Sequence, residues 1–282
     1  MLPTVSGKFG RNAIIEIPKA KPSGKFVVTT ALKGRGRKAR KNDIAVVNYT
    51  AKAWKRGTAL PSTYGKGRSP KVFSVGNGAV IPALDRAVHG QRAGSRVLVV
   101  APPAAAYGKT GNAKLGVAGT DTVVFVVDIE KVIAADSAVR GRQQDVSDAL
   151  PQVRADGSAT AIVVPDTAAP KRLVSRTLID GSDLAIKTGQ TVVYRHAGTV
   201  WSTNRGKEHA TLFDSTWPQG PTSVIVGRGN LIEGLDQALV GAKVGSRILL
   251  VIPPGLAYGA QAQKHIPAKS TLIFVVDILA AV

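Results

Sequence analysis

The chain has no cysteine. Disulfides, thiolate zinc sites, iron–sulfur clusters and a cysteine nucleophile are therefore excluded, although that absence does not fix the redox compartment. Aromatic residues are scarce, 5% of 282, so a core must be assembled from Val, Ile, Leu and Ala. No apolar run approaches the ~20 residues that a membrane-spanning helix needs. The opening residues, MLPTVSGKFGRN, lack the apolar stretch of a secretory signal, so an exported form would have had its signal removed. Acidic residues are few, 18 against 38 Lys/Arg, for a formal net charge of +20. What is present is foldable. Apolar residues make up 44% and charged residues 20%, the composition of a chain that buries a core. The length suits two domains.

The charge is lopsided. Residues 1–75 carry 17 Lys/Arg against 2 acids, Glu16 and Asp43, an excess of 15. All the rest of the chain carries an excess of only 5. Such a field attracts polyanions, and residues 1–75 are the expected contact for an anionic wall polymer or a membrane surface. The densest run is KGRGRKARK, Lys33 to Lys41. Its plainer reading is a solvated loop ahead of a strand, because such tracts arise often by chance. No aromatic residue interleaves it, which weakens the case for a single-strand stacking surface, and a nucleic-acid partner is not expected.

The chain repeats itself. TVVFVVDIEKV begins at Thr122 and TLIFVVDILAAV at Thr271; RVLVVAPPAAAYG begins at Arg96 and RILLVIPPGLAYG at Arg247. GNGAVIPALDRAVHGQRAGS begins at Gly76 and GRGNLIEGLDQALVGAKVGS at Gly227. The offset is 149 to 151 residues, and the lead-ins LPTV (Leu2) and LPQV (Leu150) match too. One domain has been duplicated. The expected boundaries are 1–136 for the first copy, with a basic extension and a core at about 42–133. A linker is expected at 137–149, and a second copy at 150–282 with its core at about 188–282.

Within each copy β-branched runs read as strands: Ile44–Trp54 and Thr191–Trp201, then KVFSVG and TSVIVG. Ile81, Leu84, Ala87 and Val88 fall at helical spacing, with Pro82 suited to a first turn; Ile232, Leu235, Ala238 and Leu239 repeat the pattern. RVLVVAPP and RILLVIPP are strands stopped by a proline pair. VVFVVDI and LIFVVDI are nearly all apolar, as for strands covered on much of both faces. The pattern is α+β, an antiparallel sheet curled onto one short helix.

The ordered series F-D-S, G-x-x-x-x-I-x-G-x-x-x-A-L-x-G-x-x-x-G, PP-x-x-A-Y-G and IP-x-x-x-T-L-x-F-x-V, preceded by a partial match to V-x-Y-x-G, resembles the FKBP-type peptidyl-prolyl cis-trans isomerases. The second copy matches best, across Thr188–Val282, and the first more loosely, across Asn42–Val132. The lead-ins resemble those of exported bacterial members, which implies action outside the cell or attached to its envelope, with the cytoplasm left open. The resemblance implies two tandem domains, each a five- or six-stranded antiparallel sheet around a short helix, with an apolar pocket between helix and sheet.

Carried over residue by residue, the resemblance assigns Phe213 and Asp214 to the family's Phe-Asp pair. Leu231 and Ile232 meet the bound proline region, Tyr258 hydrogen-bonds the ligand, and Ile266 and Phe274 form wall and floor. Two positions depart: His196 stands for the first-strand tyrosine and Leu235 for the tryptophan under the proline ring. In the first copy Tyr49, Val80, Ile81, Leu84, Tyr107, Val117 and Phe125 keep most of the pocket. Leu60 and Pro61 replace the Phe-Asp pair there, and GKTGNAKLG lengthens the loop after Tyr107. The first copy is thus expected to be the weaker catalyst, or a binding module only.

The reaction implied needs no nucleophile, metal or cofactor. An X–Pro bond turns over a barrier of roughly 20 kcal/mol. Its planar form is polar by resonance and its twisted form is less so, and an apolar cup with a few fixed polar groups favours the twist. The Ile232 N–H, the Tyr258 hydroxyl and Asp214 fit those roles. Each residue also has a plainer reading: Phe274, Phe125, Ile81 and Ile232 as core, Tyr258 and Tyr107 as packing, Asp214 as a turn cap, and His196 as a satisfied polar residue on the sheet. The expected partners are proline-containing polypeptides, and macrolides of the tacrolimus and rapamycin class, with the chain a monomer. A second reading is a non-catalytic proline-peptide binder tethered by its basic half. A third is a nucleic-acid-associated chaperone, suggested only by the excess of charge in 1–75. His89, His196, His209 and His265 form no paired metal-ligand spacing, the GxG pairs at Gly34, Gly76 and Gly227 lack a third glycine, and no phosphate-binding loop or nucleophile elbow occurs.

Overall fold

The computed structural model describes residues 1–55, 57–155, 160–181 and 184–282. The chain forms two compact units, Met1–Ala134 and Ala135–Val282. In the first, the strands are β1 (Thr4–Ser6), β2 (Ile14–Glu16), β3 (Val27–Leu32), β4 (Ile44–Ala53), β5 (Ala59–Leu60) and β6 (Lys71–Ser74). Helix α1 (Pro82–Val88), β7 (Arg96–Ala101) and β8 (Val123–Ile133) follow. In the second they are β9 (Gln152–Ala155), β10 (Thr160–Val163), β11 (Val174–Ile179), β12 (Thr191–Val200), a single turn α2 (Trp201–Asn204), β13 (Leu212–Ser215) and β14 (Thr222–Ile225). Helix α3 (Glu233–Leu239), β15 (Arg247–Ile252) and β16 (Leu272–Ala281) complete it.

Each unit carries the expected six-stranded antiparallel sheet. The orders are β3-β7-β8-β4-β5 and β11-β15-β16-β12-β13, with β6 on β4 and β14 on β12. The strands follow from period-2 burial. On β8, Val123, Phe125, Val127 and Ile129 face the helix side, and Val124 and Val126 face the other. β16 repeats this: Leu272, Phe274, Val276 and Ile278 face one core, Ile273 and Val275 the other. The helices are placed by their own first turn. Gly76 N–H donates to Asp85 at 2.6 Å and Gly227 N–H to Asp236 at 2.7 Å, tying each helix to the loop that leads into it.

The outer face of each sheet is closed by the lead-in, which explains the apolar runs on both faces. Ala13 and Ile15 pack on Trp54, Leu98, Val100, Val124 and Val126. In the second unit Val153, Ile162 and Val164 pack with Trp201, Trp217, Leu249, Val251, Ile273 and Val275. A buried cross-strand ion pair fixes each lead-in. Arg96 bonds Asp128 at 2.7 Å and also donates to the carbonyls of Gly7, Lys8 and Arg11, while Gly10 N–H donates to Asp128 at 2.8 Å. Arg247 and Asp277 repeat the pair at 2.6 Å, and Val139 N–H donates to Asp277 at 2.8 Å.

Three expectations need correction. The stretch 137–149 is not a separate linker: it lies within the second unit, where Val139 is buried against that ion pair and Gln144 N–H donates to Leu178 O at 2.6 Å. The sheets begin before the expected cores at about 42 and 188, since the lead-ins contribute the strand pairs β1–β2 and β9–β10 and the edge strands β3 and β11. Strands read to Trp54 and Trp201 end one residue earlier, at Ala53 and Val200; the Trp54 side chain joins the outer-face cluster and Trp201 opens α2.

Candidate functional site

In the second unit the site is assembled from strand β12, its edge partner β13, helix α3 and the loop between β15 and β16. Phe213, Leu231, Ile232, Leu235, Ile266 and Phe274 come together in one apolar cluster between helix and sheet. Leu235, Ile266 and Phe274 are buried in it, while Phe213, Leu231 and Ile232 are its partly open rim. The Phe213 and Phe274 rings meet edge to face, 5.7 Å apart at 84°, the arrangement that ring quadrupoles favour.

A glycine makes this contact possible. Gly198 pairs with Phe274 on one side and with Asp214 on the other. A Cβ at Gly198 would lie 2.7 Å from Phe213 Cζ and 2.8 Å from Phe274 Cε1. The bare backbone is the seat on which the two rings close, beside a bulge in the β12–β13 ladder. The corresponding residue of the first unit is Ala51, paired with Leu60. A methyl group there goes with a smaller neighbour in place of the phenyl ring.

His196 lies in the same wall, 6.0 Å from the Phe274 ring and stacked on Tyr194 at 5.5 Å. Its Nε2 is 2.8 Å from Asp214 Oδ2. A carboxylate only accepts, so Nε2 carries the hydrogen, and Nδ1 is buried without a partner among the described residues. Thr216 fixes the backbone: His196 N–H donates to its Oγ1 at 2.9 Å, and Thr216 N–H returns a bond to His196 O at 2.9 Å. Asp214 itself is open to solvent, its side chain 57% exposed. Burial first, and the Asp214 charge second, push the Tyr194 hydroxyl up to about 12.

Ile232 is the N-cap of α3. Its carbonyl accepts from Leu235 and Asp236, and its N–H has no partner among the described residues. Tyr258 is the outlier. It stands 37% exposed after the turn Pro254–Leu256, while its neighbours Leu256 and Ala257 pack into the apolar cluster. A cavity of about 770 Å³ continues outward from Phe213 and Ile266, bounded by Asn204, Lys207, His265 and Pro267 among others.

The first unit gathers Tyr49, Val80, Ile81, Leu84, Tyr107, Val117 and Phe125 into the equivalent cluster, with Leu60 among them. Tyr49 meets Phe125 edge to face at 6.0 Å and 72°. Thr63 holds the Tyr49 backbone as Thr216 holds His196, at 2.8 Å. Pro61 is exposed and supplies no carboxylate. Burial raises the Tyr49 and Tyr107 hydroxyls above the ordinary tyrosine range. The longer loop after Tyr107 is folded on itself. Val117 exchanges backbone bonds with Asn112 at 3.0 and 2.8 Å, as Ile266 does with Gln263 at 3.0 and 2.8 Å. The loop therefore delivers Val117 to the wall despite its extra residues.

Gly198, Thr216 and Tyr194 were not singled out in the sequence. Gly198 had a legible signal, a glycine inside a β-branched strand, which marks a close approach. The other two are ordinary strand and turn residues.

The fold and the pocket define a duplicated sheet-and-helix domain with an apolar cup. The model of the FKBP-type peptidyl-prolyl cis-trans isomerase family matches twice, at residues 35–130 and 182–279, and the chain belongs to that family. It is 25% identical over 224 residues to rat peptidyl-prolyl cis-trans isomerase FKBP9, covering 79% of this chain and 32% of that protein. It is 40% identical over 99 residues to FK506-binding protein 4 of Chaetomium thermophilum, covering 35% of this chain and 19% of that one. The chain spans about a third of the length of the first of these relatives and a fifth of the second. The three FKBP domains of wheat FKBP73 align over 92% of this chain and 96% of that one at 21% identity, with a TM-score of 0.38.

Proposed function

We propose that the protein is a peptidyl-prolyl cis–trans isomerase whose second unit is the main catalyst, with the first a weak catalyst or a docking site for proline-containing segments. The observation that carries this reading is the wall built on Gly198: Phe213 against Phe274, with His196 hydrogen-bonded to Asp214. The first unit has Ala51, Leu60 and Pro61 at those places. Phe213, Leu235, Ile266 and Phe274 enclose the proline ring. The Ile232 N–H, free at the head of α3, donates to a carbonyl of the substrate. Tyr258, exposed at the mouth, adds a hydroxyl once a peptide is bound.

The chemistry follows from polarity. The planar X–Pro amide carries a large dipole that water stabilises, and the twisted bond carries less. An apolar cup therefore disfavours the plane more than the twist, and contacts to flanking residues hold the twisted form. In this reading His196 takes the place of the tyrosine and keeps Asp214 turned toward the cup. Macrolides of the tacrolimus and rapamycin class enter the same cup, the second unit more tightly.

The test is exchange of a short X–Pro peptide by the full chain, compared with Asp214→Ala and Phe213→Ala in the second unit and Tyr107→Phe in the first. Most of the activity should be lost with either second-unit change and little with Tyr107→Phe. Peptide binding with no rate above the spontaneous one would reduce both units to binding modules.

A further inference from the structure

The basic run Lys33–Lys41 is not a loose tail. Its backbone is pinned to the turn after α1. Gly34 N–H donates to Ser95 Oγ at 2.9 Å, Gly36 N–H to Ala93 O at 3.0 Å and Ala39 N–H to Gln91 O at 2.7 Å. Ala93 and Gly90 return bonds to Arg37 O and Ala39 O, both at 2.9 Å. Gly34 is pressed so close that a Cβ would lie 2.2 Å from Ala93 O. Only Gly34 and Ala39 point inward; Lys33, Arg35, Arg37, Lys38, Arg40 and Lys41 are all exposed.

In the second unit the described residues repeat three of these contacts, which serve as an internal control. Gly181 N–H donates to Ser246 Oγ at 2.9 Å, Ile186 N–H to Ala242 O at 2.8 Å and Gly241 N–H to Ile186 O at 2.9 Å. Its sequence from Asp180 to Thr188 carries two acids and one Lys, where Lys33–Lys41 carries six cations and no acid. The contacts at Gly181 and Ile186 therefore form without the positive charge. At one place the contrast reverses an interaction. Asp180 and Lys243 form an ion pair at 3.5 Å; their counterparts are Lys33 and Arg92, two cations. These two, with Gly34 and Arg35, line a cleft. Arg92 is held in it by a 3.0 Å bond from its guanidinium to Gly36 O. Like charges kept together on a rigid backbone repel one another, and an anion between them removes that cost.

We propose that this cleft and the cations behind it bind a flexible linear phosphate polymer through its phosphates alone. Arginine forks match phosphate oxygens two at a time. The cleft is an open depression of about 470 Å³ lined by four residues, room for the narrow backbone of a single flexible strand. It offers no aromatic ring on which a base would stack and no large apolar side chain to enter a membrane. The isomerase site plays no part in the argument.

Titration of the full chain with long-chain inorganic polyphosphate tests this. Binding should weaken steeply as salt is raised. Lys33→Asp with Arg35→Ser, which restores the residues of the second copy, should weaken it at least tenfold and shrink the log–log salt slope by about 0.7 per lost phosphate contact. The unfolding midpoint and the isomerase rate should not move. Arg92→Gln is the independent variant and should weaken binding in the same direction. Absence of polyphosphate binding, or equal binding by both variants, overturns the proposal. So does tighter binding, at equal phosphate, to duplex DNA or to phosphatidylglycerol vesicles, which would assign the patch to nucleic acid or to membrane.

Discussion

Replacing Gly198 by Ala is the smallest change that reaches the proposed catalytic wall. The added Cβ would sit 2.7 Å from Phe213 Cζ and 2.8 Å from Phe274 Cε1, where ordinary contact begins at 3.4 Å. One or both rings must therefore retreat by about 0.6–0.7 Å, the difference between those distances. Phe274 is 5% exposed in the middle of the sheet, flanked in register by Leu250 and Gly198. Phe213 is half-buried on the edge strand β13. The edge ring should yield first, swinging outward and opening the cup. Because it can move, the stability cost should lie near the lower end of the overpacking range, about 1 kcal/mol. The catalytic cost should be larger relative to its cause. Displacements on this scale misplace a reacting group by enough to lose on the order of tenfold in kcat/KM, about 1.4 kcal/mol of transition-state stabilisation. The assay pairs kcat/KM on an X–Pro peptide with a denaturant midpoint for the same protein. Activity within twofold of the parent would refute the reasoning, because Phe213 would then not be part of the working wall. A loss of activity that merely tracks unfolding would refute it equally.

The first unit offers the reverse experiment. Leu60→Phe with Pro61→Asp should raise its activity only when Ala51→Gly is added, measured in a chain whose second unit is silenced by Phe213→Ala; equal gain without Ala51→Gly would count against the glycine seat. Arg96→Met strands a fully buried Asp128 and frees the carbonyls of Gly7, Lys8 and Arg11. A loss of about 3–5 kcal/mol is expected, with new protease cuts within residues 1–20; an unchanged midpoint would sink the idea. The alkaline limb is set in part by Tyr194. Its hydroxyl, pushed up to about 12 in the folded chain, keeps a proton that the unfolded chain releases near pH 10. That contribution is whole below pH 10 and is lost as the pH rises to about 12. Across that window the parent should lose up to ~2–3 kcal/mol more stability than Tyr194→Phe, and parallel curves would disprove it.

Strands β4, β7, β8 and their counterparts β12, β15, β16 were legible because each is a β-branched run long enough to show a period, and the duplication displayed every signal twice. The helices were legible from Ile81 and Leu84, Ile232 and Leu235. The hairpin strands Thr4–Ser6 and Ile14–Glu16 were not, since three residues carry no period. Val139 gave no sign of burial, because its partners Arg247 and Asp277 lie more than a hundred residues away. The pocket list came from ordered motifs, and its apolar members do meet. The His196–Asp214 bond joins residues 18 apart across the β12–β13 hairpin. The sequence does not show it, because it depends on the bulge at Gly198 and on the backbone bonds of Thr216. Tyr258 follows the motif in sequence and yet stands exposed.

The Arg–Asp clasp on the lead-in has a bearing on the order of events at the ribosome. The segment through Arg11 emerges before the groups that hold it, since Arg96 and Asp128 are made roughly a hundred residues later. Until then Ala13 and Ile15 have no sheet to cover. Completion of the first unit thus waits on its last strand, and a nascent chain arrested before Asp128 should expose its N-terminal segment in full. Long-range closure of this kind is intrinsically slow. The second unit repeats the arrangement, with Val139 waiting for Asp277, 138 residues later.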